Sequence, residues 1–218
     1  MIHIFDVDNT IVRRTSMLYF LQDAINKGII RFSQIKRLPF DFLRYKLGIP
    51  DMDFIEEAVK KLSGICKNDL EKIAELSFNN RIKKNIYRGA AGLIKDLLLK
   101  NERVIFATSS IDIVIKPLET FLGTEKSLAT EMEFKDGKST GFLTGYSFFG
   151  AKKREAVKAW IEKSNLKAED ICFYSDSYTD IPLLEISGCP VAVNPDNRLK
   201  RRAKKSGWKI IYFKELLV

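Results

Sequence analysis

The fold of this chain follows from one stretch near its beginning, Ile2-His3-Ile4-Phe5-Asp6-Val7-Asp8-Asn9-Thr10. A short apolar run with strand character ends here in two carboxylates one residue apart, and a turn-forming Asn9 and the hydroxyl of Thr10 follow. In an open parallel sheet, ligands bind beyond the carboxyl ends of the strands, so Asp6 and Asp8 are expected to face a crevice. Two carboxylates this close repel each other unless a cation or a shared proton neutralises them. Mg²⁺, which takes oxygen ligands and is often joined by substrate phosphate, fits that requirement.

The region that follows this stretch has helical character. Apolar residues recur at three- and four-residue spacing over 16–47, 52–62 and 70–78, and strand character is weak throughout this region. A helical segment of this length between the first strand and the next α/β unit is typical of an inserted domain. We therefore predict a helical cap at 13–85, inserted into a core formed by residues 1–12 and 86–218.

The rest of the chain alternates between helices and strands. Helices are predicted at 88–100, 111–122, 151–163, 182–186 and 197–206, and strands at 103–107, 170–174, 190–193 and 209–213. Asp136-Gly137 is a hairpin-turn signal between 131–134 and 139–144. This alternation predicts a three-layer, Rossmann-like α/β fold with a mostly parallel sheet and helices on both faces.

The composition sets broad limits on the function. Lys+Arg 37 against Asp+Glu 28 gives a net charge of +9, which favours anionic partners, and 45% hydrophobic residues are enough to form a sizeable core. No apolar run approaches the roughly 18 residues of a membrane span. Asp6 and Asp8 stand where a signal peptide needs its apolar stretch, and three scattered cysteines lack metal-ligand spacing. We therefore expect a cytoplasmic protein with reduced thiols.

Four segments share one arrangement, in which polar groups follow a strand or begin a helix: Asp6/Asp8, Thr108-Ser109-Ser110, Lys153 and 176–180. Each alone has an ordinary structural explanation, because acids and hydroxyls after strands often cap helices and lysines in a charge run are usually solvated. Together, at one edge of a parallel sheet, they can surround a phosphate with hydroxyls, backbone N–H groups and an ammonium.

In this order the segments resemble the four motifs of the haloacid dehalogenase superfamily. Asp6-Val7-Asp8-Asn9-Thr10 is similar to the first motif, Thr108 to the second, Lys153 to the third, and Asp176 with Asp180 to the fourth. Further similarity points to the phosphoserine-phosphatase-like branch, subfamily IB, and lies in the stretches 129–131, 174–185, 194–196 with Leu199, and 207–208. The resemblance covers the core from end to end, whereas the cap matches only in position and helical character.

The resemblance implies a division of roles among the carboxylates. Asp6 would be the nucleophile that forms an aspartyl-phosphate. Asp8 would be the general acid for the leaving alkoxide and then the base that activates water, a role that requires a raised pKa. Asp6 and Asp176 would hold Mg²⁺ through their side chains, and Asp8 through its backbone carbonyl.

The remaining motifs would hold the phosphoryl group. The segment Thr108-Ser109 and Lys153 would bind its oxygens. Asp180, one helical turn after Asp176, would orient Lys153 or a metal-bound water. Lys152 is the rival of Lys153, which we favour because Gly150-Ala151-Lys152-Lys153 matches the Gly-x-x-Lys pattern of the branch.

One position departs from the family pattern. In phosphoserine phosphatases a glutamate nine residues after the nucleophile binds the substrate's amino group, whereas here that position is Thr15, preceded by Arg13 and Arg14. A neutral residue beside two cations is a poor ammonium site and a better site for additional negative charge. We therefore predict a substrate other than phosphoserine, with these three residues as candidates for specificity.

The predicted function is a Mg²⁺-dependent phosphatase that uses an aspartyl-phosphate to hydrolyse a small or lipid-type phosphomonoester. Phosphotransfer to a second alcohol remains an alternative, because the same intermediate can react with any acceptor that the cap admits. Dehalogenation is less favoured, since it does not need the metal site implied by Asp8 and Asp176. A metal-binding or regulatory protein that has lost catalysis is disfavoured by the intact set of motifs.

The basic stretches suggest two non-catalytic contacts. Residues 13–50 hold eight Lys+Arg and two Asp together with Tyr19, Phe20, Phe32, Phe40, Phe42 and Tyr45. We expect ordinary packing and solvated cations there, with weak contact to an anionic membrane surface as the sharper hypothesis. Residues 198–209 hold seven Lys+Arg and no acid. Nucleic-acid binding would rest on that charge alone, without a reading motif, and is disfavoured.

Overall fold

The structure, a computed structural model, describes residues 1–31, 54–145 and 147–217. Its strands are β1 Ile2–Phe5, β2 Arg103–Ile111, β3 Leu128–Thr130, β4 Met132–Lys135, β5 Lys138–Leu143, β6 Ile171–Ser175, β7 Cys189–Val193 and β8 Lys209–Ile211. Its α-helices are α1 Ser16–Asn26, α2 Phe54–Lys60, α3 Lys67–Ser77, α4 Arg88–Leu99, α5 Asp112–Leu122, α6 Gly150–Lys163, α7 Ile181–Leu184 and α8 Asn197–Ser206. A π-helical turn at Phe78–Ile82 and short 3₁₀ turns at Lys83–Asn85, Ala168–Asp170 and Tyr178–Asp180 complete the elements.

Six strands form one parallel sheet in the order β3-β2-β1-β6-β7-β8. The first strand lies near its centre, where Ile2 pairs with Arg103 of β2 on one side and Ile171 of β6 on the other. β4 and β5 form a separate antiparallel hairpin. The predicted α/β class with a mostly parallel sheet is therefore confirmed.

Alternate residues of the central strands supply two hydrophobic cores, one on each face of the sheet. Phe5 and Phe106 belong to the core that also contains buried residues of α1, α3, α4 and α5. Ile4 and Phe173 belong to the opposite core, with buried residues of α6, α7 and α8. This alternation makes every central strand apolar on both faces, as expected for a parallel sheet covered by helices on both sides.

Two strands end two or more residues away from the predicted positions. β2 continues past Ala107 to Ile111 because its last residues pair with β3, across a shift in register. β8 ends at Ile211, before the predicted Phe213, because the N–H of Phe213 donates to the side-chain oxygen of Asn194 (2.9 Å). The two changes place Thr108 and Ser109 inside a strand and Asn194 at a loop junction.

The helices between β1 and α4 are inserted at a closely paired junction. Val12 bridges Ile86, and the N–H of Arg13 donates to the carbonyl of Asn85 (2.7 Å), so the two ends of the segment lie side by side. The loop after α2 is held to the β4–β5 hairpin, since the N–H of Gly64 donates to the carbonyl of Ser139 (2.7 Å). The periodicity predicted for 32–53 lies outside the described residues, as do Phe32, Phe40, Phe42 and Tyr45.

Candidate active site

Two carboxylates, those of Asp6 and Asp8, follow β1 at the carboxyl edge of the sheet. The N–H of Asp6 donates to the carbonyl of Tyr174 (2.8 Å), so Asp6 still belongs to the ladder with β6. Asn9 then takes a positive φ of 61°, a conformation that Asn tolerates well, and its side chain accepts from the N–H of Arg14 (3.2 Å). The N–H of Ser16 donates to Asp8 Oδ1 (2.8 Å). The turn therefore fixes Asp6 in the sheet and Asp8 against the beginning of α1.

A buried lysine from α6 joins two carboxylates, one directly after β1 and one in the 3₁₀ turn that follows β6. Lys153 Nζ donates to Asp6 Oδ1 (2.7 Å) and to Asp180 Oδ2 (2.8 Å). Asp180 Oδ2 also accepts from the hydroxyl of Ser175 at the end of β6 (2.7 Å). Lys152 points elsewhere and pairs with Glu56 of α2 across 3.6 Å. The structure therefore places Lys153, and not its rival, among the acids.

Burial and crowding change the protonation of this cluster. Burial raises the pKa of Asp6 to about 7, with Asp180 and Asp8 adding to the rise and Lys153 opposing it. Burial also raises the pKa of Asp176 well above its ordinary value, and the charges of Asp6 and Asp180 add to the effect. For Lys153, burial alone would lower the pKa, but Asp180 and Asp6 outweigh burial and raise the pKa above its ordinary value. Negative charge is therefore in excess at this edge of the sheet.

These side chains line a cavity of about 210 Å³. Its charged lining residues are Asp6, Asp8, Lys153, Asp176, Asp180 and Asp196. Uncharged residues complete the lining, among them Thr15, Ile55, Ser109, Phe148, Phe149 and Tyr178. Residues from both ends of the sequence thus meet in one cavity at the carboxyl edge of the sheet.

The two hydroxyls at the end of β2 have different surroundings. Ser109 lines the cavity, whereas Thr108 is buried and its Oγ1 accepts from the N–H of Ser110 (3.1 Å). Thr130 of the neighbouring β3 donates to the carbonyl of Ser109 (2.9 Å), which fixes the backbone at this point. Of the two, Ser109 is the one that lines the cavity.

The three candidate specificity residues also differ in whether they line the cavity. Thr15 lines the cavity at the beginning of α1. Arg13 lies outside the lining, where its guanidinium donates to Asn85 Oδ1 (3.1 and 3.2 Å). Arg14 is exposed and has a positive φ of 71°. The expectation of a cationic site therefore rests on residues that the structure places away from the cavity wall.

The donor set fits a hard divalent cation. Asp6, Asp8, Asp176 and Asp180 offer only oxygen atoms, and Lys153 alone balances them within the described lining. Across residues 1–31, 54–145 and 147–217, no three His, Cys, Asp or Glu side chains form a complete metal-binding group. Mg²⁺ usually takes one or two carboxylates and keeps several waters. Asp6 and Asp176 supply carboxylates of the number and kind that such an ion takes.

Several residues at this site were missed by sequence reasoning. Ser175 directly precedes Asp176 in the quoted fourth motif, and its position at a strand end was a signal for the contact with Asp180. Phe148 and Phe149 precede the helix that carries Lys153, but nothing in their spacing indicates a cavity wall. Asp196 lines the cavity and caps α8, where Oδ1 accepts the N–H groups of Arg198 and Leu199 (both 2.8 Å).

Comparison with known proteins agrees with this geometry. The model of the family described as haloacid dehalogenase-like hydrolase matches residues 4–185. The chain is 31% identical over 214 residues to the inhibition of morphological differentiation protein of Streptomyces azureus, a match that covers 96% of this chain and 77% of that protein. It is 28% identical over 217 residues to the histidinol-phosphatase of Neisseria meningitidis serogroup C, covering 97% and 98%.

A solved structure shares the fold. The phospho-aspartyl intermediate analogue of phosphoserine phosphatase aligns with a TM-score of 0.71 at 21% identity, covering 98% of this chain and 93% of that chain. Within the part of the chain that the structure describes, none of the helices has the length and apolar character needed to cross a membrane.

Proposed function

Because this chain belongs to the haloacid dehalogenase-like hydrolase family and is a phosphoric monoester hydrolase, we propose that it works through an aspartyl-phosphate on Asp6. The observation that carries this proposal is the contact of Lys153 Nζ with both Asp6 (2.7 Å) and Asp180 (2.8 Å), at a sheet edge shared with Asp8 and Asp176. Lys153 holds one oxygen of Asp6, so the carboxylate has a fixed orientation. Asp6 Oδ2, beside Thr10 Oγ1 at 3.4 Å, is the oxygen that attacks phosphorus.

The neighbouring residues complete the reaction. Asp8 gives its proton to the leaving alkoxide and then takes a proton from the attacking water. The ammonium of Lys153 and the polar groups of Ser109, at the end of β2, hold the phosphoryl oxygens as charge develops on them, with Thr108 supporting the strand end. Asp6, Asp176 and the carbonyl of Asp8 would hold Mg²⁺, which would supply positive charge to the site when bound.

Residues 13–85 act as a cap over this centre in the proposed mechanism. Two observations support the assignment: the paired junction at Val12 and Ile86, and the presence of Thr15 and Ile55 in the cavity lining. A cap excludes water while the substrate is bound, and it selects the leaving group. The core then consists of 1–12 and 86–218.

The substrate is a phosphorylated small molecule other than phosphoserine. Thr15 lines the cavity where the phosphoserine-phosphatase pattern has a glutamate, and a threonine offers no charge to an ammonium group. Relatives named histidinol-phosphatase and phosphoserine phosphatase show how widely leaving groups vary at this level of identity. The relatives cited above are not named for a lipid-type substrate.

A phosphatase assay with Mg²⁺ and Asp6→Asn tests the mechanism. We expect wild-type protein to release phosphate from small phosphomonoesters and Asp6→Asn to lose at least about 10³-fold in kcat/KM, since removal of a nucleophile has effects of that order or larger. Asp136→Asn is the matched control, because Asp136 is exposed in the β4–β5 turn with a φ of 51°, which Asn also accepts.

A trapping experiment tests the intermediate itself. Rapid acid quench of the wild type with ³²P-labelled substrate should leave a hydroxylamine-sensitive label on the protein, and Asp6→Asn should leave none. Label that persists in Asp6→Asn would overturn the assignment of the nucleophile. Addition of glycerol separates hydrolysis from phosphotransfer, because a transferase forms glycerol phosphate in place of inorganic phosphate.

A further inference from the structure

The cavity lining contains two unlike sets of residues, here called the charged wall and the apolar wall. One carries the carboxylates and Lys153, which come from strand ends and from the first turn of α6. The other carries three apolar side chains: Ile55 from α2, and Phe148 and Phe149 from the loop before α6. A phosphoryl group occupies the charged wall in the proposed mechanism, so the leaving group extends toward the apolar one.

The backbone fixes both phenylalanines relative to the reacting groups. The N–H of Phe148 donates to Thr130 Oγ1 (3.0 Å), and the same hydroxyl donates to the carbonyl of Ser109 (2.9 Å). Phe149 is the N-cap residue of α6, and its carbonyl accepts from the N–H of Lys153 (3.4 Å). The apolar wall is therefore connected to Ser109 and Lys153 by two short hydrogen-bonded paths, which is how a rigid specificity surface is built.

Charged leaving groups find few partners on this wall. Within the described lining Lys153 is the one cation, and Asp6 and Asp180 already engage it. The carboxylate of Asp196 accepts backbone N–H groups on both oxygens, from Arg198 and Leu199 on Oδ1 and from Tyr178 on Oδ2. A second anion on the substrate would meet the excess negative charge of the lining, and any charged group placed against Phe148 and Phe149 would be desolvated.

We propose that Phe148 and Phe149, together with Ile55, form the specificity surface for the leaving group, and that the substrate is a phosphomonoester with an uncharged apolar or aromatic body. This inference rests on the proposed function, since it takes the phosphoryl group to lie at Asp6. Contact with an apolar body excludes water from the wall and lowers the free energy of bound substrate and transition state together.

Two matched substrate pairs test the inference on the wild-type protein with Mg²⁺. Propyl phosphate and phosphoethanolamine differ by a methyl group in place of an ammonium, and 2-phenylethyl phosphate differs from ethyl phosphate by one ring. We expect kcat/KM to favour the apolar member of each pair by about tenfold or more. Equal values within a pair, or a preference for phosphoethanolamine, would overturn the inference.

Variants of Phe148 and Phe149 then test whether the preference for apolar substrates comes from the apolar wall. Phe149→Ala and Phe148→Ala should each lower kcat/KM for 2-phenylethyl phosphate by about tenfold, mainly through a higher KM, and leave ethyl phosphate within about twofold. Phe149→Leu should retain most of the preference, because leucine keeps an apolar surface. Phe142→Ala is the matched control, since Phe142 is 65% exposed on β5 and lies outside this cavity.

Failure of this inference differs from failure of the proposed function. If the phenylalanines have only a structural role, Phe149→Ala will lower kcat/KM for ethyl and 2-phenylethyl phosphate equally, and the inference is wrong while the phosphatase mechanism stands. If the wild type releases phosphate from none of the four substrates, and no acyl-phosphate is trapped with other phosphomonoesters, the proposed function fails as well. An unchanged preference in both alanine variants also overturns the inference.

Discussion

The two ends of the parallel sheet carry ion pairs of nearly equal length in very different surroundings. At the carboxyl end Lys153 Nζ lies 2.7 Å from Asp6 and 2.8 Å from Asp180, and only 4% of the lysine side chain is exposed. At the amino end Arg103 lies 2.6 Å from Glu125, with 46% and 43% of these side chains exposed. Distance does not separate the two sites, whereas exposure to water does.

The difference shows where this fold places charge for chemistry. An exposed pair contributes about 0–1 kcal/mol, because water already solvates both partners. Loss of one partner from a buried pair costs about 3–5 kcal/mol, because the charge left behind has no solvent. The buried cluster also raises the pKa of Asp6 to about 7. A buried cluster of this kind is a candidate site for chemistry, whereas the amino-end pair is ordinary surface structure.

The largest effect is expected when Lys153 is removed. Lys153→Met should lower the free energy of unfolding by about 3 kcal/mol near neutral pH, because Asp6 and Asp180 are left buried without their cation. Phosphatase activity should fall by at least about 100-fold, since a phosphate-binding charge is lost. Urea denaturation and the Mg²⁺-dependent assay measure the two effects.

Arg103→Met at the opposite end of the sheet is the matched control for that variant. It should change the free energy of unfolding by less than about 1 kcal/mol and leave activity unaltered, since Glu125 becomes solvated when its partner is lost. Equal destabilisation by the two substitutions would contradict the contrast between the two ends. The loss in Lys153→Met should also shrink at acidic pH, because Asp6, whose pKa burial raises to about 7, becomes protonated there.

A smaller effect is expected at Ser175, whose hydroxyl donates to Asp180 Oδ2 at 2.7 Å. Ser175→Ala should cost about 2 kcal/mol, because hydrogen bonds to a charged group are stronger than neutral ones. Ser187→Ala provides the comparison, since Ser187 donates to the neutral carbonyl of Leu184 at 2.9 Å and should cost about 1 kcal/mol. Urea midpoints of the two variants measure the difference, and a larger loss in Ser187→Ala would contradict it.

Much of this geometry could be predicted from strand ends alone. β1 and β6 are short apolar runs that end at Asp6 and just before Asp176, and in a parallel sheet such ends share one edge. The order of the motifs therefore predicted which acids would meet. The hairpin at Asp136-Gly137 was predicted equally well, because its turn chemistry is local.

Other features depend on conformations that the sequence pattern does not contain. Whether Thr108 or Ser109 faces the cavity depends on how far β2 extends, since successive side chains in a strand point to opposite faces. The pairing of β2 with β3 decides that extent, and this pairing is a long-range contact. The wall formed by Phe148 and Phe149 depends in turn on the bond to Thr130, eighteen residues away in sequence.

Because negative charge is in excess at the carboxyl end of the sheet, removal of one carboxylate there should stabilise the folded protein, whereas the substitutions above destabilise it. In EDTA, Asp176→Asn should raise the free energy of unfolding by about 1 kcal/mol at pH 7, because it removes one of several mutually repelling carboxylates. The folded-state pKa of Asp176 lies above the ordinary 3.8, so the folded protein binds more protons and wild-type stability falls as pH rises above that value. This slope should be smaller in the variant.

Added Mg²⁺ should reverse the order of stability of the wild type and Asp176→Asn. Added Mg²⁺ should raise the thermal midpoint of the wild type, since a cation that binds only the folded state stabilises it. Asp176→Asn should respond weakly and should have little phosphatase activity. A variant that gains as much stability from Mg²⁺ as the wild type would show that Asp176 is not a ligand.

The smallest effect belongs to the amino end, at a buried group that the proposed mechanism does not use. His3 is 6% exposed, its Nδ1 lies 3.0 Å from Tyr174 Oη, and burial lowers its pKa although Glu102 opposes the shift. The unfolded chain therefore binds more protons than the folded one below the ordinary histidine pKa of 6.5, and this contribution to stability is lost as pH falls.

The carboxylates at the other end titrate with the opposite sign, so wild type and His3→Asn must be compared with each other at about pH 7.5 and again at about pH 5.5. The difference in their free energies of unfolding should shrink by up to about 1 kcal/mol between about pH 7.5 and about pH 5.5. An unchanged difference in urea midpoints would mean that His3 accepts a proton in the folded protein, and that the amino end tolerates even a buried charge.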